Sequence, residues 1–244
     1  MKIGNSLFSN TGVPKNENID TSKFRVVNES IHSLLISDSI FLWSEDDSWV
    51  AAMKMLNILK LLFASALKAG FPLRGAVTLG EIWTGEVNLA DVPNYHPNQL
   101  LFGKAFVNAY ELELKQQWHG CIVEDNVYER LIEHFESLST DEIGHMKSAH
   151  EKLSLVEFQQ MLPVCRFIVP YKDGEVKEKY VIDWTFDRFE INFEANKYVR
   201  QSFSLYHPKS IKYWDVEIKI RNTTDFLLKR ISEKTHISRQ LFTS

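Results

Sequence analysis

An acidic residue stands inside the most strand-like run of this chain. The run Leu34-Leu35-Ile36-Ser37-Asp38-Ser39-Ile40-Phe41-Leu42-Trp43 is apolar and rich in β-branched and aromatic residues. It ends in the polar cluster Ser44-Glu45-Asp46-Asp47. Such a pattern predicts a buried strand over 33–43. Burying a carboxylate there is costly unless its charge is compensated. Two compensations are open for Asp38: a bound divalent cation, or hydrogen bonds and an ion pair within the core.

The chain beyond this run reads as alternating helices and strands. Residues 1–30 are rich in turn formers and predict a flexible leader. Asp46, Asp47 or Ser48 can cap a helix that runs to about Ala69, with Ala52, Met55, Leu56, Leu59, Phe63 and Leu67 at helical spacing. Gly70 and Pro72 stop it. Leu73 to Trp83 predicts a second buried strand, in which Gly75 and Gly80 signal close backbone approach, a bulge or a ligand. A polar loop or short hairpin covers 84–99, where Asn94, His96 and Asn98 read as surface polar residues. A helix over 103–118, a strand over 121–124 and helices over 126–135 and 139–152 follow. Strands are expected at 164–170 and 178–186, joined by the turn Lys172-Asp173-Gly174. Residues 187–206 are ambiguous, and a last amphipathic helix is expected over 208–231. This order indicates an α/β (α+β) sandwich. It divides into a leader (1–30), a core (31–136) and C-terminal helices and strands (137–244).

Composition narrows the function classes. The net charge is −4, so there is no global basic field of the kind that holds nucleic acid. A local basic patch stays open. Cys121 and Cys165 lie far apart in apolar contexts, without CxxC or zinc spacing, and read as reduced cytosolic thiols. Met1 to Ser30 contains no apolar signal core. The stretch Met53 to Ala69 is interrupted by Lys54, Asn57, Lys60 and Lys68, so an amphipathic soluble helix is expected rather than a membrane span. Together these predict a cytoplasmic protein with neither a membrane nor a nucleic-acid partner.

Four segments then recur in a fixed order. They are Ile36-Ser37-Asp38-Ser39-Ile40, Gly70-Phe71-Pro72-Leu73-Arg74-Gly75-Ala76-Val77-Thr78-Leu79-Gly80-Glu81, Phe102-Gly103-Lys104-Ala105-Phe106-Val107-Asn108-Ala109-Tyr110-Glu111-Leu112-Glu113 and Gly120-Cys121-Ile122-Val123. This pattern resembles the class III nucleotidyl cyclase domain, and within it the bacterial pyrimidine cyclases of anti-phage signalling. The match covers roughly residues 34–124, and Lys212-Tyr213-Trp214 resembles a later segment of such proteins. The resemblance implies a ferredoxin-like palm core working as a homodimer. It also implies conversion of a nucleoside triphosphate to a 3′,5′-cyclic nucleotide and pyrophosphate, with Mg²⁺ or Mn²⁺ held by two carboxylates.

Asp38 matches the second metal-bearing aspartate of that pattern. The strand that would carry the first, reading roughly F-x-D-x-x-G-F, has no counterpart here. The expectation is therefore a core lacking or altering its first strand, with catalysis impaired. The alternative is an inactive nucleotide-binding or dimerisation module of the same fold. Glu81 is the substitute metal candidate, or else a rim carboxylate. Arg74 is the phosphate candidate, because guanidinium binds phosphate bidentately; an ion pair with a strand carboxylate is the other reading. Ser37 and Ser39 flank Asp38. Gly75 and Gly80 could admit a nucleotide or serve tight packing. Phe102 and Gly103 open a helix that could favour an anion or form a packing turn. Val107 and Glu111 stand where purine cyclases carry transition-state residues, so that role does not transfer.

Overall fold

In a computed structural model the chain forms two compact units, Met1–Asp46 and Asp47–Ser244. The structure describes residues 31–36, 38–87, 98–138, 154–185, 194–205 and 214–242. The expected leader, the helix over 139–152, and Ser37, Asn94 and His96 lie outside these. The expected boundary at 136/137 falls within the second unit.

The described part of the first unit is a hairpin. Strands β1 (Ile31–Ile36) and β2 (Ser39–Ser44) pair antiparallel, from Ile31 opposite Ser44 to Ile36 opposite Ser39. The single strand expected over 33–43 is thus two strands, and Asp38 lies in the tight connection between them. The reason is local: Ser-Asp-Ser interrupts the apolar run with side chains that favour turns by bonding nearby backbone. Asp38 and Ser39 are exposed, and none of the hairpin's described residues is buried. A carboxylate in water carries no desolvation penalty. The buried-strand premise for Asp38 is therefore corrected.

The second unit opens with α1 (Trp49–Lys68), capped by Ser48, whose side chain accepts from the Ala51 N–H at 3.2 Å. Gly70 at φ 83° ends it, as the sequence predicts. Length and composition alone would let α1 cross a membrane. A core helix meets the same test, and Ala51, Met55, Leu56, Leu59, Phe63 and Leu67 are buried within this unit.

The strand expected over 73–83 is also interrupted. Strand β3 (Arg74–Val77) ends early, and β4 (Trp83–Val87) instead pairs antiparallel with β5 (Asn98–Phe102), Trp83 opposite Phe102. Gly80 sits between them at φ 157°, in backbone space that favours glycine. Helix α2 (Lys104–Lys115) leads to β6 (Gly120–Val123), which runs parallel to β3 with Arg74 beside Gly120. Every residue of β6 is buried, as expected of an apolar run inside a sheet.

After α3 (Asp125–Ser137) comes α4 (Leu155–Met161), which opens on a capping box between Ser154 and Glu157. Strands β7 (Val164–Pro170) and β8 (Val176–Ile182) form the expected hairpin, with Gly174 at φ 87° in its turn. The ambiguous stretch contains α5 (Ala195–Ser204), and α6 (Trp214–Phe242) runs past the expected end at 231, its expected start at 208 lying outside the described residues. The sheet order is β3-β6-β8-β7, with β6–β8 and β7–β8 antiparallel.

The chain is therefore mixed α/β. Aromatic rings fill its core: Trp118, Phe167 and Phe226 stand with centroids 5.0 Å apart pairwise. Helix α6 supplies Phe226 to this cluster, while α1 supplies Phe63 against Gly75 and His119.

Candidate functional site at the two ends of α2

The candidate residues of the second unit gather at opposite ends of α2. At its start, Gly80 and Gly103 let two pieces of backbone cross. A Cβ at Gly103 would stand 2.3 Å from the Glu81 carbonyl oxygen, and one at Gly80 would stand 3.4 Å from the Ala105 Cβ. The Ala105 N–H donates to the Glu81 carbonyl at 3.4 Å, and the Thr78 hydroxyl donates to the Ala105 carbonyl at 2.8 Å. Both glycines thus serve backbone packing, and the chain's own carbonyl takes an N–H that an anion would need at α2. The Glu81 side chain is exposed. Phe102 is exposed beside Trp83, its cross-strand partner. At Gly75, a Cβ would meet the Phe63 ring at 3.0 Å and the Cys121 sulfur at 3.4 Å. That glycine too accommodates helix-on-strand packing.

At the far end of α2, Arg74 is held on two sides. It pairs with the Glu113 carboxylate at 2.7 Å and donates to the Gln116 carbonyl at 3.2 Å. Of the two readings open for Arg74, this geometry is the ion pair, with a helix carboxylate. The two side chains are 26% and 24% exposed, so solvent still reaches them. Gln116 is fully buried and anchors this end: its amide donates to the Gly75 and Leu112 carbonyls and accepts from the Trp118 indole.

Arg74 and Glu81 therefore do not share a site. Eight residues of helix separate Ala105 from Glu113, about 12 Å at 1.5 Å per residue. Asp38 belongs to the first unit.

Two buried polar groups carried no signal in the sequence reading. The His119 Nδ1 accepts from the Leu73 N–H at 2.8 Å, so the neutral ring carries its proton on Nε2. Burial pushes the His119 pKa down to about 3, so the ring packs as an uncharged core residue. Asp183 follows β8 and accepts from Arg230 at 2.7 Å and from the backbone N–H and hydroxyl of Thr185. Lys234 stands 3.3 Å away. Burial alone would raise the Asp183 pKa, but Arg230, Thr185 and Lys234 hold it below the usual carboxylate range. This cluster clips α6 to the sheet.

A cleft of about 220 Å³ opens between the start of α1 and α3. Trp49, Leu79, Val127, Arg130 and His134 line it, and Trp49 stacks on His134 at 5.4 Å. Cys121 and Cys165 are free thiols, and burial raises both pKa values, that of Cys165 to about 12. They stay protonated and weakly nucleophilic. Among the described residues, no three His, Cys, Asp or Glu side chains converge as a metal-ligand set. Compared with family profiles, with characterised proteins and with solved structures, the chain matches none.

Proposed function

We propose that this is a cytoplasmic class III cyclase-like protein built on a ferredoxin-like palm core, whose substrate is a nucleoside triphosphate and whose partner is a second copy of the chain. The observation that supports the reading is the exposed carboxylate of Asp38, presented in a tight connection between two apolar strands. The parallel pairing of β3 and β6 through α2, with antiparallel β8 beyond, is compatible with such a core.

The reaction is attack of the 3′-hydroxyl on the α-phosphorus of the same nucleotide, breaking the bond to the pyrophosphate leaving group. Its rate depends on positioning and on neutralising phosphate charge. Asp38 offers hard oxygen donors, which fit Mg²⁺ or Mn²⁺. Such an ion, when bound, supplies charge neutralisation at the phosphates. Asp38 would hold such an ion, with Ser39 next to Asp38 in the chain. Glu81 and Glu111 are the other exposed carboxylates of the matched segments.

A second reading, an inactive nucleotide-binding or dimerisation module, is favoured by a specific contact. Arg74 is occupied by Glu113, so it must surrender an ion pair before it can serve a phosphate.

The test is incubation of the purified protein with all four ribonucleoside triphosphates and Mn²⁺, with Asp38→Asn alongside. Cyclic nucleotide made by the wild type and lost in the variant supports the enzyme. Nucleotide binding without product supports the module. Product made equally by both proteins rules out the assigned role of Asp38.

A further inference from the structure

The cleft between α1 and α3 has the size and lining of a small-molecule site. Three parts of the second unit build it. Val127, Arg130, Leu131 and His134 recur at i, i+3, i+4 and i+7, so they share one face of α3. The start of α1 brings Trp49 and Ala52, and Leu79 follows β3. Val127 and Leu131 are buried, and Ala52 and Leu79 extend the apolar wall. Trp49 stacks on His134 with the ring planes 22° apart.

The polar groups of the lining decide what the cleft suits. Apart from His134, the described lining carries two charged groups, and they cancel. Arg130 and Asp47 pair at 2.9 Å, with 58% and 67% of their side chains exposed. Neither is left to meet a ligand's charge, so the lining suits an uncharged molecule. The Ser48 hydroxyl is spent on the α1 cap. His134 differs: its Nε2 is shut off from water and has no hydrogen-bond partner among the described residues. A buried polar atom in that state costs free energy and calls for a partner. A hydroxyl supplies one whichever ring nitrogen carries the proton, because it both donates and accepts.

Size narrows the class further. The cleft's volume of about 220 Å³ exceeds the roughly 150 Å³ that holds a benzene ring and falls short of the about 300 Å³ at which drug-sized pockets begin. One aromatic ring fits, and a nucleoside triphosphate does not. We propose that this cleft binds a small uncharged aromatic alcohol, a phenol in class, with its ring on the apolar wall and its hydroxyl on the His134 Nε2. The site does not rest on the cyclase reading, in which none of these residues carries a role.

The experiment is an NMR titration of the full chain with phenol, with toluene and benzoate in parallel. The Trp49 indole N–H, identified by its loss in Trp49→Phe, reports binding. Phenol shifts that signal saturably at millimolar concentration, and benzoate binds more weakly than phenol. Ala52→Leu narrows the cleft and weakens phenol about tenfold or more. His134→Phe keeps a ring against Trp49 but removes the hydrogen bond, so the ratio of phenol to toluene affinity falls about threefold to tenfold. Thermal unfolding checks that each variant is folded. Nuclear Overhauser contacts from phenol to the Leu79, Val127 or Leu131 methyls place the ligand without any substitution. The proposal fails if the wild type shows no saturable shift at about 10 mM phenol, or if those contacts are missing. It also fails if folded Ala52→Leu binds phenol as well as the wild type, if benzoate binds tighter than phenol, or if His134→Phe leaves the phenol-to-toluene ratio unchanged.

Discussion

Two ion-paired arginines of the second unit differ in what surrounds them. Arg230 meets Asp183 where the side chains are 17% and 10% exposed, and Lys234, Thr185 and Glu233 complete the set. Arg74 meets Glu113 with about a quarter of each side chain exposed. The first cluster is closed: its charges are opposed and shielded from water. The second is open to water. A closed cluster serves the fold, because removing one member strands a buried charge. An open one tolerates loss, because solvent takes the place of the missing partner.

Breaking the closed cluster gives the largest effect. Asp183→Ala removes the buried carboxylate that Arg230 and Lys234 share and leaves Arg230 with Glu233 alone, and urea denaturation should show about 3 kcal/mol of lost stability. A variant losing under about 1 kcal/mol would show that the buried pair is no stronger than a surface one.

Next comes Gly103→Ala, at the other end of α2 from the open cluster. Its Cβ would meet the Glu81 carbonyl at φ 148°, in space that L residues avoid. A loss of about 2 kcal/mol is expected, with the contact between the 80–82 segment and α2 loosened. Hydrogen exchange at the Ala105 amide reports that loosening directly.

The third prediction concerns pH. The folded pKa of His119, about 3, lies below the ordinary 6.5. Between these values the unfolded chain binds the extra proton, so the stability contribution is present above pH 6.5 and lost as pH falls toward 3. The slope is at most about 1.4 kcal/mol per pH unit. Urea midpoints measured from pH 4.5 to 6.5 should fall with acid in the wild type and flatten in His119→Gln. Asp183 titrates below this window, because its pKa is lowered from the carboxylate value.

The smallest effect belongs to the open side. Glu113→Gln should cost about 0.5–1 kcal/mol, as pairs that solvent reaches do, read from the urea midpoint. A loss of about 3 kcal/mol or more would show that this pair behaves like the closed one.

These contrasts explain what the sequence could reveal. Helix α1 was legible from end to end because its cap, its apolar spacing and its Gly70 stop all agree. The β7–β8 hairpin was legible from its turn residues. The 33–43 run reads as one strand because its apolar content outweighs the turn chemistry of Ser-Asp-Ser, and periodicity says little about where one short strand becomes two. Helix α4 carries a sequence signal in Ser154 and Glu157, spaced as a capping box. Gly75 and Gly80 signal close approach, a bulge or a ligand alike, and only the fold shows that Ala105 and the Phe63 ring stand where a side chain would be. Asp183 and Arg230 lay beyond sequence reasoning altogether, because their roles arise from each other across 47 positions of the chain.

The bonds from α6 to the 117–119 segment carry one further consequence. Thr223 and Asn222 reach back 104 and 105 residues to His119 and Gln117, and Phe226 closes the ring cluster around Trp118. A nascent chain still short of these residues has made Trp118 but cannot close the ring cluster around it. During synthesis at about 5–20 residues per second, that indole waits several seconds for Phe226. The last helix thus sets the moment at which the second unit leaves its aggregation-prone interval, and slow translation through α6 would lengthen it.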